Sequence, residues 1–120
     1  MSANLKDISS REDIVSLLNA FYTKAQKDDV IGSKFNHINM IEHTQVIADF
    51  WDGILFGSNQ YRGDPFGKHP GLDLAAKDFE RWISLFNQTI DDNYLGPIAD
   101  EAKYRAGTIA RVFQHKLGLS

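Results

Sequence analysis

The sequence contains no cysteine. A disulfide framework, a thiolate zinc site, an iron–sulfur cluster and a cysteine nucleophile are therefore excluded. It also has no run of about 18 apolar residues, the minimum length for a helix that crosses a bilayer. The N-terminus lacks the apolar stretch of a signal peptide. These absences predict a cytoplasmic protein without a membrane segment.

An excess of positive charge is missing as well. The formal net charge is −3 at pH 7, which argues against broad binding to nucleic acid or to anionic membranes. The length of 120 residues suits one domain, because two domains of about 60 residues each would have marginal cores. We therefore expect a monomeric single domain over residues 1–120, in which residues 1–9 form a loose N-terminal extension.

The hydrophobic pattern has helical periodicity along most of the chain. A capping box at Ser9–Glu12 predicts the start of a first helix that ends near Lys27. Further helices are predicted over residues 41–56, over residues 74–94 and from Pro97 onwards. Their predicted buried stripes include Ile47 and Trp51 in the second helix, Phe79, Phe86 and Ile90 in the third, and Val112 in the fourth. Since no segment alternates with period two, the predicted fold class is all-α.

A stretch of about 17 residues between the second and third helices is too rich in glycine and proline to be one regular element. It contains Gly57, Gly63, Pro65, Gly67 and Gly71. Loops of this length in a compact domain are usually functional. The sequence Lys-His-Pro over residues 68–70 stands near its end.

Aromatic residues make up 12% of the chain, which is generous for its length. This surplus predicts either an unusually aromatic core or a core that encloses a flat molecule.

Four histidines are the best metal ligands that a chain without cysteine can offer. His37 and His115 lie in polar surroundings and are predicted to be surface residues. His43 lies on the apolar stripe of the second helix and His69 near the end of the irregular loop. Each of these two, taken alone, is compatible with a structural histidine or with a ligand.

A zinc site is the poorer explanation for His43 and His69. Neither residue has a second histidine four positions away, and the chain has no HExxH motif. Haem fits better, because it requires one axial nitrogen and a large apolar envelope.

Five short motifs, in order along the chain, resemble those of the bacterial truncated haemoglobins, specifically their third group. They are Phe21-Tyr22, the turn from Gly32 to Asn36, Glu42-His43 with Asp49-Phe50-Trp51, Lys68-His69, and the Phe-x-x-Trp-x-x-Leu-Phe pattern over residues 79–86. The absence of a Gly-Gly pair in the turns between helices is also typical of this group. The resemblance runs from about residue 10 to residue 117 and implies a shortened globin fold, two helices over two, around haem b.

The resemblance also implies roles for individual side chains. His69 would be the proximal ligand of the haem iron. Tyr22 and Trp82 would turn their polar hydrogens toward the ligand on the distal side. His43 would occupy the distal-histidine position, either in contact with the ligand or gating its access.

Further residues would surround the porphyrin. Phe21, Phe35, Ile47 and Phe86 would form its apolar walls. Arg62 and Lys68 are candidates for binding the haem propionates. The sequence departs from the family's pattern at Pro70, because a proline directly after His69 disfavours helical backbone at His69. The helix is therefore expected to end at His69 or to be irregular there.

These assignments predict a protein that binds dioxygen, carbon monoxide and nitric oxide at haem iron. We expect redox chemistry on the ligand, either oxidation of nitric oxide or activation of peroxide, and the chain would then need a separate reductase because it carries no flavin or nicotinamide motif. Reversible gas binding for storage, delivery or sensing is the alternative. A helical interaction module without haem is the third possibility.

Overall fold

Four α-helices make up most of the part of the chain that the structure, a computed structural model, describes. That part comprises residues 5–35, 38–57 and 75–116, without the side chains of Phe113 and Lys116. The helices are α1 (Arg11–Gln26), α2 (Met40–Phe56), α3 (Ala76–Asn93) and α4 (Pro97–Lys116), and a short 3₁₀ helix, Gly32–Phe35, follows α1. The all-α prediction is confirmed.

Helix α1 lies at the centre of the packing, because it contacts both α2 and α3, while α4 packs against α3. Its predicted apolar face is buried throughout. The buried residues of that face are Ile14, Leu17, Leu18, Phe21 and Ala25. Spacings of three and four residues place these side chains on one stripe of the helix, where they form the middle of the core.

The start of α1 differs by one residue from the predicted capping box. Ser10 is the N-cap, and its side chain accepts a hydrogen bond from the backbone N–H of Asp13. The reciprocal carboxylate belongs to Asp13, which accepts from the N–H and the hydroxyl of Ser9. The prediction that paired Ser9 with Glu12 was therefore wrong in register, since two adjacent serines and two adjacent acids made both pairings possible.

Helix α4 buries small side chains. Four alanines of this helix are at most 4% exposed, namely Ala99, Ala102, Ala106 and Ala110. Val112, predicted to lie on the buried stripe, is 45% exposed instead. Alanines at this spacing allow two helix backbones to approach closely, so the buried face of α4 is set by close packing rather than by its largest side chains.

The segment before α1 is fastened to the start of α4. Both carboxylate oxygens of Asp7 accept backbone hydrogen bonds there, from Ile98 at 2.9 Å and from Ala99 at 2.8 Å. A Cβ at Gly96, whose φ is +150°, would lie 2.5 Å from Asp7 Cγ. Ile8 is 1% exposed. The expected loose extension therefore does not describe residues 5–9, because Asp7 acts as the N-cap of a helix distant in sequence.

The carboxylate of Asp13 ties this segment to α1. It accepts from the Lys6 ammonium at 3.0 Å and from Ser9. Burial acts to raise the pKa of Asp13, but the hydrogen bonds from Ser9 and Lys6 outweigh it, so that the pKa lies below its usual value. The ionised carboxylate is thus favoured in the folded protein.

The replacement Asp13→Asn is expected to destabilise the protein by about 1–2 kcal/mol at pH 7, because it removes the charge from these hydrogen bonds. A folded pKa below the unfolded one stabilises the fold above about pH 4, and this stabilisation disappears as the pH falls through the folded pKa. The difference in unfolding free energy between Asp13→Asn and the parent should therefore shrink below pH 4. Urea unfolding at pH 7 and pH 3.5, with the exposed Asp29→Asn as the control, tests this; a constant difference would contradict it.

Three predicted site residues lie outside the described residues. They are Arg62, Lys68 and His69, all between α2 and α3. In the described part of the chain, no helix is long and apolar enough to cross a membrane.

Candidate functional site

A phenol and an imidazole meet between α1 and α2. The hydroxyl oxygen of Tyr22 lies 3.0 Å from His43 Nε2, within hydrogen-bond distance. The two rings are 5.2 Å apart between centroids and inclined at 68°. In its Nδ1–H tautomer, the imidazole accepts a hydrogen bond from the Tyr22 hydroxyl through Nε2. The sequence predicted both residues for the site, and the structure brings them into contact.

Local structure explains how these two side chains reach one place. Tyr22 follows Phe21 on the inner side of α1 and is 6% exposed. His43 lies in the first turn of α2, which Asn39 begins by accepting the N–H groups of Ile41 and Glu42 through its side chain. The cap fixes where the helix starts, and so fixes which turn presents His43 to Tyr22.

Burial keeps the Tyr22 hydroxyl protonated. Removal from water raises the pKa of Tyr22 above its usual value. The side chain therefore remains a hydrogen-bond donor over the whole neutral and moderately alkaline range.

Aromatic rings extend from this pair into the core. The Tyr22 ring meets Phe35 edge-on at 5.7 Å and Phe21 at 5.0 Å. Phe21 in turn meets the rings of Trp82 at 6.0 Å and Phe86 at 5.4 Å. Edge-to-face contacts at these distances are favourable. The predicted residues of α1, the 3₁₀ helix and α3 thus form one continuous aromatic cluster.

Trp82 stacks on Phe86, with the ring centroids 5.4 Å apart and the planes inclined by 7°. Its side chain is partly buried. A partly buried indole in an apolar cluster can therefore serve a polar atom of a bound molecule.

Helix α2 adds one further ring to the aromatic cluster, that of Trp51, which the sequence did not predict as a site residue. Trp51 stacks on Phe86 at 5.3 Å, and its ring is 3% exposed. It follows His43 and the buried Ile47 at intervals of four residues, so all three share one stripe of the helix. That spacing is the signal the sequence offers for Trp51, and it predicts a buried position without distinguishing core from site.

The space between α2 and α3 is spanned by side chains rather than by close backbone packing. Within the described residues, the most extensive helix contacts join α1 to α2, α3 to α4 and α1 to α3, with a smaller contact between α2 and α4. The Trp51–Phe86 stack connects α2 to α3. Two helices separated by flat rings, with a phenol and an imidazole beside them, form a wall suited to a flat apolar molecule with a polar centre.

In the described part of the chain, no group of three or more histidine, aspartate or glutamate side chains is placed to hold a metal ion.

Comparisons with known proteins bear on this arrangement. A family model described as bacterial-like globin matches residues 5–114. The chain is 33% identical to a group 3 truncated haemoglobin of Campylobacter jejuni over 115 residues, which cover 90% of this chain and 91% of the relative. This chain is a truncated haemoglobin of group III.

Solved structures agree with this assignment. The crystal structure of a group III truncated haemoglobin from Campylobacter jejuni superposes with a TM-score of 0.83 at 31% identity, covering 98% of this chain and 95% of that one. A truncated haemoglobin from Tetrahymena pyriformis shares the fold, with a TM-score of 0.73 at 21% identity over 85% of this chain and 88% of the other. The predicted globin fold is confirmed.

Membership of this family implies haem binding, and the described residues of this truncated haemoglobin fit that cofactor. The aromatic wall of Phe21, Phe86 and Trp51 suits a porphyrin face. The pair formed by the buried Tyr22 and the partly buried His43 supplies hydrogen-bonding groups where an otherwise apolar cluster would offer none. A donor set of one phenol, one imidazole and one indole matches a small polar ligand held beside such a cofactor.

Proposed function

We propose that this truncated haemoglobin binds dioxygen, carbon monoxide and nitric oxide at the iron of haem b, and that it promotes redox chemistry on the ligand. The observation that supports this most directly is the 3.0 Å contact between the Tyr22 hydroxyl and His43 Nε2 in a largely apolar surrounding. In the proposal His69 is the proximal ligand, and Arg62 and Lys68 bind the propionates.

The haem iron, when bound, supplies the gas-binding position and the electrons for redox chemistry. The protein's own contribution begins with Tyr22. Its hydroxyl keeps its proton because burial disfavours the phenolate. The Tyr22 hydroxyl would donate to a gas ligand with partial negative charge on its outer atom, because such an atom would be a stronger acceptor than a neutral imidazole.

His43 then has two possible roles, both built on the same contact. When Tyr22 turns its hydroxyl to the ligand, His43 Nε2 loses its hydrogen-bond donor. The imidazole would then either change to its Nε2–H tautomer and donate to the ligand, or swing away and open a path. Its partial exposure allows movement toward solvent, whereas Tyr22 is enclosed.

Trp82 is a third donor in the proposal. Its ring is held by the stack on Phe86 and by the edge of Phe21, so its indole N–H has a fixed direction at little entropic cost. Phe35 and Ile47 exclude water around these donors, which strengthens each hydrogen bond.

Several donors around one ligand favour slow release over transport. Each neutral hydrogen bond contributes about 1–1.5 kcal/mol, so two or three together slow dissociation by a factor between about 30 and about 2000. A protein that releases dioxygen so slowly is better suited to reacting its ligand than to delivering it. Oxidation of nitric oxide and activation of peroxide are the reactions that we propose, with a separate reductase restoring the ferrous state.

Stopped-flow mixing of the dioxygen-loaded protein with nitric oxide tests the enzymatic part. We expect nitrate to form within milliseconds and the activity to continue only when a reductant system is added. The alternative function is reversible gas binding for storage, delivery or sensing. It predicts that nitrate forms slowly although the protein still binds dioxygen reversibly. That outcome would remove the proposed oxidation of nitric oxide, and the same mixing with hydrogen peroxide then decides whether any redox function remains beside gas binding.

A further inference from the structure

A cluster of polar side chains joins α1 to α2 far from the Tyr22–His43 pair. Arg11 Nη1 lies 2.7 Å from Asp49 Oδ1 and 3.5 Å from Asp52 Oδ2. Arg11 Nη2 donates to Gln45 Oε1 at 3.4 Å. We call these four residues the Arg11 cluster. It links the first residue of α1 to three consecutive turns of α2.

The Arg11 cluster is partly removed from solvent. The side chain of Arg11 is 31% exposed and that of Asp52 only 12%. A carboxylate so enclosed requires a nearby cation, because an unpaired charge is costly to bury. Arg11 is the cation that faces Asp52, so the cluster has one preferred arrangement of the two helices.

Positions on α2 place this cluster and His43 on opposite flanks of its buried face. At about 100° per residue, Gln45, Asp49 and Asp52 fall within an arc of about 60°. His43 lies about 120–180° away, with the fully buried Ala48 between the two flanks. Rotation of α2 about its own axis therefore moves both flanks at once.

The two contacts are also well separated along α1. Arg11 and Tyr22 are 11 positions apart in the sequence, which corresponds to about 16 Å of helix. Helix α2 is thus attached to α1 at two distant points, by an ionic cluster on one flank and by the Tyr22–His43 hydrogen bond on the other. Two contacts at distant points fix the orientation of α2 on α1 more closely than either contact would alone.

We infer that Arg11 is a positioning residue for the distal site: through Gln45, Asp49 and Asp52 it fixes the rotation of α2 and so holds His43 Nε2 within hydrogen-bond distance of the Tyr22 hydroxyl. A side chain lies about 5–6 Å from the axis of its helix, so a rotation of only about 10° displaces it by about 1 Å. From 3.0 Å, such a displacement breaks the hydrogen bond. Loss of Arg11 favours this rotation, because Asp52 would then gain by moving toward water.

The direct test is the ¹⁵N resonance of His43 Nε2 in protein loaded with zinc protoporphyrin, which is diamagnetic and binds no gas. Arg11→Met is expected to shift this resonance toward that of an imidazole without the Tyr22 contact. The ratio of molecules without this hydrogen bond to molecules with it should rise by about threefold or more. Lys24→Met is the matched control, since it removes the exposed ion pair of α1 with Asp92 on α3 and leaves α2 untouched. An equal resonance in both variants would overturn the inference.

Two further variants separate positioning from general loss of stability. Arg11→Lys keeps the charge, so the His43 Nε2 resonance should stay close to its position in the parent protein. This should hold even if the variant melts at the same temperature as Arg11→Met or at a lower one. Asp49→Asn weakens the cluster without unpairing Arg11 from Asp52, and should shift the resonance in the same direction but less. If the shift followed the melting temperature across all four variants, Arg11 would be only a structural residue.

The inference depends on the proposed function solely for its consequence at the ligand. In the ferrous carbon monoxide adduct, Arg11→Met should move intensity from the hydrogen-bonded C–O stretching band to the non-bonded one. If no adduct forms while the His43 resonance still shifts, gas binding is wrong and the positioning role stands. If the adduct forms and neither signal changes, the positioning role is wrong.

Discussion

Tyr22→Phe is expected to raise the dissociation rate constant of dioxygen by about tenfold, because one hydrogen bond of about 1–1.5 kcal/mol to the ligand is lost. The phenylalanine ring keeps the edge contacts of Tyr22 with Phe21 and Phe35, so the aromatic wall should remain. The rate is measured by flash photolysis or by stopped-flow displacement of dioxygen with carbon monoxide.

The matched control for this variant is Tyr104→Phe, which removes a hydroxyl from a residue that is 66% exposed. It should leave the rate unchanged. A further variant, His43→Leu, shows whether the imidazole donates or gates: loss of a donor raises the dissociation rate, whereas loss of a gate changes association and dissociation together. If dioxygen left Tyr22→Phe no faster than the parent, the hydrogen-bonding basis of the proposed function would be wrong.

His69→Ala is expected to have the largest effect on cofactor binding. If His69 is the proximal ligand, its removal takes away the protein's coordinate bond to iron, and the affinity for haem should fall by at least about a hundredfold. The Soret band of the purified protein reports this loss. Added imidazole should restore the band, because a small ligand can fill the space of the missing side chain.

His115→Ala controls for the removal of any histidine, since His115 is exposed on α4, as the sequence predicted. It should leave the Soret band unchanged. An unaltered spectrum in His69→Ala would instead place the axial ligand elsewhere. A parent protein that binds no haem at all would leave only the interaction-module explanation, against what membership of the globin family implies.

The helices were predictable because their apolar residues recur at helical spacing. Phe79, Phe86 and Ile90 on α3 are buried as the pattern required, and α2 begins and ends within one residue of its predicted bounds. Periodicity reports which face a helix buries, and in a small all-helical protein that information nearly determines the packing.

Close packing and long-range polar contacts were not predictable in this way. The buried face of α4 is made of alanines, which carry little hydrophobic signal, and Val112 was therefore misplaced. The Arg11 cluster joins residues 34 to 41 positions apart, and a surface-type charge on α1 gives no indication of its partner. Such pairings depend on how the helices cross, which periodicity does not specify.

The site was predicted in part by resemblance and completed by geometry. Tyr22, His43, Trp82, Phe21, Phe35, Ile47 and Phe86 were proposed together. In the structure Tyr22 contacts His43 directly. Trp82 is connected to this pair only through Phe21, which contacts both Tyr22 and Trp82. Trp51 was missed because a tryptophan on an apolar stripe cannot be separated from ordinary core by sequence alone.

The cap that Asp7 provides has a consequence for the order of folding. Its partners, the N–H groups of Ile98 and Ala99, lie 91 and 92 positions away, so this contact closes most of the chain into one loop. Closing such a loop early is entropically expensive, and contacts of long sequence separation form late unless others have already brought their ends together. During synthesis on the ribosome, Asp7 is also made long before the helix that it caps. We expect the α3–α4 pair to dock onto α1 first, and the first turn of α4 to become ordered last.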